Sequence, residues 1–155
     1  ADLKFQLGKG IVMSEGGDVT SIDTGTADGN PRAPGLVMLG ALAQPLSGAA
    51  FASYLAVRLG RPPLYVAAGD APIQRLAWCT GGAQSFIEIA LNAGVDAFLT
   101  GEASEQTVHF ARENGLHFFA AGHHATERYG VPALGAHLAT QCQLDFSFVD
   151  IDNPV

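Results

Sequence analysis

Between residues 47 and 151 the apolar positions follow two alternating rhythms. Phe51, Tyr54, Leu55 and Leu59 recur at helical spacing behind Ser47, a residue type that caps helix N-termini, and Gly60 with Pro62 and Pro63 closes the stretch. Beyond it, short apolar runs at 75–78, 97–99, 116–121 and 144–151 are separated by helical patterns at 84–93, 104–114 and 126–140, the second of these closed by Gly115. Such alternation predicts an α/β fold, a layered and largely parallel sheet with helices on its faces. Gly130 and Pro132 interrupt the last helical pattern. An interior proline loses an amide donor and clashes with the carbonyl four residues back, so that helix is expected to kink or start late.

The stretch 14–35 has a different texture, rich in Gly, Asp, Thr and Pro, which predicts turns or a mobile loop. The expected organisation is an irregular N-terminal segment, 1–35, followed by an α/β domain, 36–155.

In an open α/β sheet, ligand-binding groups collect in the crevice at the carboxyl ends of the strands. Three successive predicted strands end in chemically able segments. They are Cys79-Thr80-Gly81-Gly82 with Gln84, Thr100-Gly101-Glu102 with Ser104, and Gly122-His123-His124. On a helix, His123 and Glu127 stand four positions apart and share a face; the spacing also allows His124 with Glu127. Imidazole with carboxylate suits Zn, Mn or Fe, although two ligands are too few for a tight site. The competing reading is a helix start in which His, Thr126 and Glu127 satisfy the first turn.

The other candidates divide by context. Gly81 and Gly82 fit a tight turn between strand and helix better than an anion cradle, because no phosphate-binding glycine pattern accompanies them. Glu102 fits a general acid/base, the partner of a ligating histidine, or a carboxylate that favours a helix start. His109, His117 and His137 fall within regular elements, where a packed or solvated imidazole is commoner than a ligand. Ser85 and Ser104 lack a nucleophile elbow. Trp78 and the phenylalanines at 86, 98, 110, 118, 119, 146 and 148 sit at core spacing.

Composition narrows the classes. The chain has 155 residues, 48% of them apolar and 15% charged, enough for one domain with a sizeable core. A net charge of -7, with eight scattered basic residues, argues against a broad nucleic-acid or anionic-membrane surface. No apolar stretch reaches the length of a membrane span, and no tripartite signal pattern opens the sequence. Two cysteines, Cys79 and Cys142, make no disulfide scaffold and form no C-x-x-C pair, so they are expected to be core thiols in a cytoplasmic protein.

Several motifs in register resemble the C-terminal half of the GTP cyclohydrolase I type 2 homologue family, also called Nif-three-like proteins, in its short bacterial branch. They are Arg75-Leu76-Ala77-Trp78-Cys79-Thr80-Gly81-Gly82 with Gln84-Ser85-Phe86-Ile87, Gly94-Val95-Asp96-Ala97-Phe98 leading into Thr100-Gly101-Glu102-Ala103-Ser104-Glu105-Gln106-Thr107, residues 121–129, and the closing Asp150-Ile151-Asp152-Asn153-Pro154. The likeness runs over about residues 45–155. It implies a Nif-three-like fold and a dinuclear divalent-metal site. The first histidine and the glutamate of the G-H-H-A-T-E motif, here His123 and Glu127, are the implied ligands. It also implies a toroidal homohexamer with metal sites facing the interior, and a cyclohydrolase reaction in which water opens the imidazole ring of a purine nucleotide.

The family's remaining ligands, an adjacent histidine pair and an aspartate, come from an upstream half whose motifs this sequence lacks. Residues 1–8 resemble the stretch just after that aspartate, so the chain is expected to be a C-terminal part carrying half of the site. The leading expectation is therefore a divalent-metal-dependent hydrolase in which Glu102 or His124 moves protons. The rival expectation is a non-catalytic metal-binding assembly or regulatory protein acting through protein contacts. A nucleotide-binding module without turnover, using Gly81 and Gly82, ranks below the enzyme.

Overall fold

The computed structural model describes residues 19–21 and 36–155. Apart from Val19–Ser21, which form a short strand, the predicted irregular segment 1–35 lies outside the described residues. In chain order the elements are β1 (Val19–Ser21), β2 (Met38–Leu46), α1 (Gly48–Leu59), β3 (Leu64–Val66), β4 (Ile73–Trp78), a 3-10 turn (Gln84–Phe86) running into α2 (Ile87–Asn92), β5 (Ala97–Thr100), α3 (Glu105–Glu113), β6 (His117–Ala120), α4 (His123–Glu127) and α5 (Gly130–Cys142). The strands form one sheet in the order β1-β2-β4-β5-β6-β3.

The α/β fold with helices on its faces is as predicted, and the parallel part of the sheet is its centre. β4, β5 and β6 pair in parallel, while β1, β2 and β3 add antiparallel flanks. All four residues of β5 and of β6 are buried, which explains why these strands are largely apolar in the sequence, with Thr100 and His117 as buried polar exceptions. Their side chains alternate between two cores. Leu76, Trp78, Ala97, Leu99, Phe119 and Ala121 meet Phe51, Leu55 and Leu59 of α1 and Ala125 of α4. Ala77, Phe98, Phe118 and Ala120 face the other way, onto Ile87 and Ala90 of α2 and Ala111 of α3.

Local signals set the helix limits. Ser47 Oγ accepts from the Ala50 amide at 3.2 Å, and Gly60 closes α1 at φ 75°. Ser104 caps α3 in the same way, through the Thr107 amide. The helical pattern at 126–140 becomes two helices. Pro132 lies in the first turn of α5, where no intrahelical donor is required, so the break precedes it.

Three strands were not foreseen, β1 within the expected irregular segment together with β2 and β3, and one expected strand is absent. β2 contains Gly40 and Pro45, poor strand residues, and its register with β4 shifts between Ala41 and Leu46, where the proline is accommodated. β3 is only three residues long. It occupies the free edge of β6, the place that a further parallel strand from 144–151 would have needed. That segment is instead irregular and runs outside the sheet.

Candidate functional site

Because β4, β5 and β6 are parallel neighbours, their carboxyl ends bring the three sequence segments together. The turn after β4 is tied to the turn after β5: the Gly101 amide and the Thr100 hydroxyl both donate to the Gly81 carbonyl, at 2.9 and 3.0 Å. The Gly122 amide donates in turn to the Gly101 carbonyl at 2.9 Å. A Cβ on Gly101 would lie 2.7 Å from the His123 α-carbon, so only glycine admits this approach. The Gly81 amide donates to Thr126 Oγ1 at 3.0 Å, which makes Gly81 part of a tight turn whose amide is already engaged.

His123 opens α4 and lies between two carboxylates. Its Nδ1 is 2.6 Å from Glu102 Oε1, and its Nε2 is 3.1 Å from Glu127 Oε2 on the same helix face. The hydrogen bond to Glu102 is the main reason that the imidazole pKa is raised; Glu127 adds to it and burial works against it. A carboxylate so close to Nδ1 requires the proton there, leaving Nε2 as the nitrogen that faces Glu127.

His124 points elsewhere. Its Nε2 lies 3.5 Å from Asp150 Oδ1, within ion-pair range but without hydrogen-bond geometry, so this buried nitrogen has no hydrogen-bond partner among the described residues. The C-terminal stretch carrying Asp150 is lashed to the site. Arg128 donates to Asp150 at 3.1 Å, Arg61 to the Pro154 carbonyl at 2.9 Å, and the His124 amide to the Val155 carbonyl at 3.1 Å. Between this stretch and α4 and α5 lies a pocket of about 530 Å³, lined by His123, His124, Glu127 and Arg128 together with apolar residues such as Val131 and Phe148.

Among the described residues no three His, Cys, Asp or Glu side chains converge as a metal cage. His123 Nε2 and Glu127 Oε2 instead face each other at 3.1 Å. The other histidines stay apart. His109 is exposed beside Glu105, and His117 is buried with both ring nitrogens engaged, to Tyr65 and Ala68 on one side and Ala71 on the other. His137 and Ser85 are exposed. Ser104 serves as a cap. Sequence reasoning gave Thr126 only a helix-start role and assigned none to Arg61 or Arg128. Thr126 lay inside the quoted motif, but the target of Arg61 is a backbone carbonyl 93 positions away, which no local pattern announces.

These features define an α/β protein with a histidine-centred, carboxylate-flanked cleft at the carboxyl edge of a mixed sheet. The chain belongs to the Duf34/NIF3 (NGG1p interacting factor 3) family, which it matches over residues 6–154. The GTP cyclohydrolase 1 type 2 homolog of Pseudomonas aeruginosa is 60% identical over 126 residues, covering 81% of this chain and 49% of its own length. That of Escherichia coli K12 is 57% identical over 120 residues, covering 77% and 49%. The chain therefore spans about half the length of the curated relatives it matches. Among solved structures, ybgI, described as a protein of unknown function, aligns with a TM-score of 0.82 at 47% identity, covering 99% of this chain and 57% of that one. A Bacillus cereus protein related to NIF3 aligns at 0.61 with 22% identity, covering 76% and 36%, and shares the fold. The fold and family expected from the motifs are thus those of the chain.

Proposed function

We propose that this chain is the histidine–glutamate half of a divalent-metal-dependent hydrolase site, with His123 and Glu127 as ligands and with the remaining donors on the other half of the parent protein. The observation that carries this reading is the setting of His123. One nitrogen is held by a carboxylate and the other faces a second carboxylate, the arrangement that orients a ligating imidazole. His123 and Glu127 would contribute to holding a pair of divalent cations, Zn, Mn or Fe by donor type, and such cations would supply the Lewis acidity that makes water a nucleophile near neutral pH.

The chain's own residues would do the rest. His124, whose Nε2 lies 3.5 Å from Asp150 Oδ1 without a hydrogen bond, would hold or release a proton at the pocket wall, and Glu102 is the second candidate for that task. The pocket volume is within the range of small-molecule sites. The substrate class is a purine nucleotide whose imidazole ring is opened by water, in keeping with the names of the relatives. The proposed setting is a cytoplasmic homohexamer; both cysteines are free thiols, and no helix among the described residues is long and apolar enough to cross a membrane.

The test uses the full-length parent. Elemental analysis and a GTP ring-opening assay are run on the wild type and on His123→Ala combined with Glu127→Ala. The double variant should lose bound metal and turnover; unchanged metal content would overturn the ligand assignment.

One observation favours a second reading, a metal-binding assembly protein acting through protein contacts. α5 exposes Val131, Leu134 and Leu138, and the C-terminal stretch exposes Phe146, Phe148, Val149 and Ile151. Metal-loaded parent protein with no ring-opening activity and a stable oligomer would favour it.

A further inference from the structure

We propose that Glu102 and Gln84 are positioning residues. Together with His123 they form a polar chain across three consecutive strand ends that fixes the imidazole with its proton on Nδ1 and aims Nε2 at Glu127. The inference rests on His123 being a metal ligand, and it removes Glu102 from the proton-carrying candidates.

Both oxygens of Glu102 are engaged. Oε1 takes the 2.6 Å contact with His123 Nδ1, and Oε2 accepts from Gln84 Nε2 at 3.4 Å. The carboxylate lies against Gly82, where a Cβ would stand 3.3 Å from Oε1 and 3.4 Å from Oε2, so the turn after β4 is shaped to let it lie there. A short hydrogen bond between a charged acceptor and a ring nitrogen is strong and directional, which makes Glu102 a clamp on ring orientation.

Gln84 points to the same assignment. It opens the 3-10 turn behind Gly81 and Gly82, and its Oε1 is buried with no hydrogen-bond partner among the described residues. Turning the amide over would set that oxygen against the Glu102 carboxylate. The amide is therefore held with its nitrogen toward Glu102 although its oxygen is left without a partner among the described residues. Gln84, Glu102 and His123 follow β4, β5 and β6 in order, so the parallel pairing of these strands sets the length of the chain.

The experiment uses the full-length protein and zinc as the probe. Zinc affinity is measured by chelator competition for wild type, His123→Ala, Glu102→Ala, Glu102→Gln and Gln84→Ala. The tautomer of His123 is read from nitrogen-15 chemical shifts in the chelated proteins at a pH where the ring is neutral. Glu102→Ala should weaken zinc binding by about 10–100-fold and let the ring proton redistribute to Nε2. Glu102→Gln, which keeps an acceptor oxygen, should recover much of both, and Gln84→Ala should show a smaller loss in the same direction. A proton carrier would behave otherwise, with Glu102→Ala and Glu102→Gln equally inactive and zinc affinity and tautomer unmoved. Wild-type zinc affinity or an unchanged tautomer in Glu102→Ala would overturn the positioning role. If His123→Ala also kept its zinc, the ligand reading itself would fall; if it lost zinc while Glu102→Ala did not, this inference alone would fail.

Discussion

Gly81 shows how little free space surrounds the paired carboxylates. Its φ is 72°, and a Cβ there would run into Glu127 Oε1 and lie 3.1 Å from His123 Nε2. Gly81→Ala should therefore cost about 1–3 kcal/mol from the left-handed backbone alone, and should lower metal content by displacing Glu127. Chemical denaturation and elemental analysis check the two effects separately. The raised pKa of His123 has its own sign. In chelated protein the folded state binds the imidazole proton more tightly than the unfolded state does. This contribution is complete below about pH 6.5 and is lost as pH rises through the elevated folded value. Chelated His123→Gln should accordingly lose less stability than wild type over that rise, as measured by melting temperature against pH. Burial, with the Glu127 charge second, pushes the Cys79 thiol up to about 11, whereas Cys142 is exposed. Alkylation of the folded protein at about pH 8, well below that value, should label Cys142 and spare Cys79 in a peptide map.

Elements were legible where local chemistry and tertiary environment agree. β5 and β6 are buried on both faces and so carry the apolar runs Ala97-Phe98-Leu99 and Phe118-Phe119-Ala120, and α1 and α3 carry serine caps followed by helical periodicity. β2 was not legible, because Gly40 and Pro45 argue against a strand and only the edge of β4, with its register shift, makes one. The apolar run at 144–151 looks like a strand, but the edge of β6 already holds β3, so it became a strap over α4. His117 shows the same dependence in one side chain. At the start of β6 it takes hydrogen bonds from Tyr65 and the Ala68 amide and donates to the Ala71 carbonyl, pinning β3 and the loop after it. His117→Ala should destabilise the protein by about 3 kcal/mol by opening a cavity and orphaning those groups, without changing metal content; urea denaturation beside elemental analysis tests both halves of that statement.

At the scale of the whole molecule, apolar side chains on α5 and the C-terminal stretch are exposed. Leu134 and Leu138 are each 45% exposed and Val131 66%, all on a helix that has no fully buried residue. If this face joins copies of the protein, Leu134→Asp with Leu138→Asp should lower the mass seen by light scattering without changing metal content. An unchanged mass would exclude the face from the assembly.

The sequence by itself determined the alternation of buried strands and capped helices, the pairing of His123 with Glu127 on one helix face, and the family motifs, because each depends on spacing within a few residues. Tertiary structure alone decided which carboxylate holds the second nitrogen of His123, that Gln84 stands behind that carboxylate, and that the C-terminal run becomes a strap. Those outcomes depend on which strand lies beside which, and hydrogen bonds between residues about 20 positions apart or more leave no local period to read.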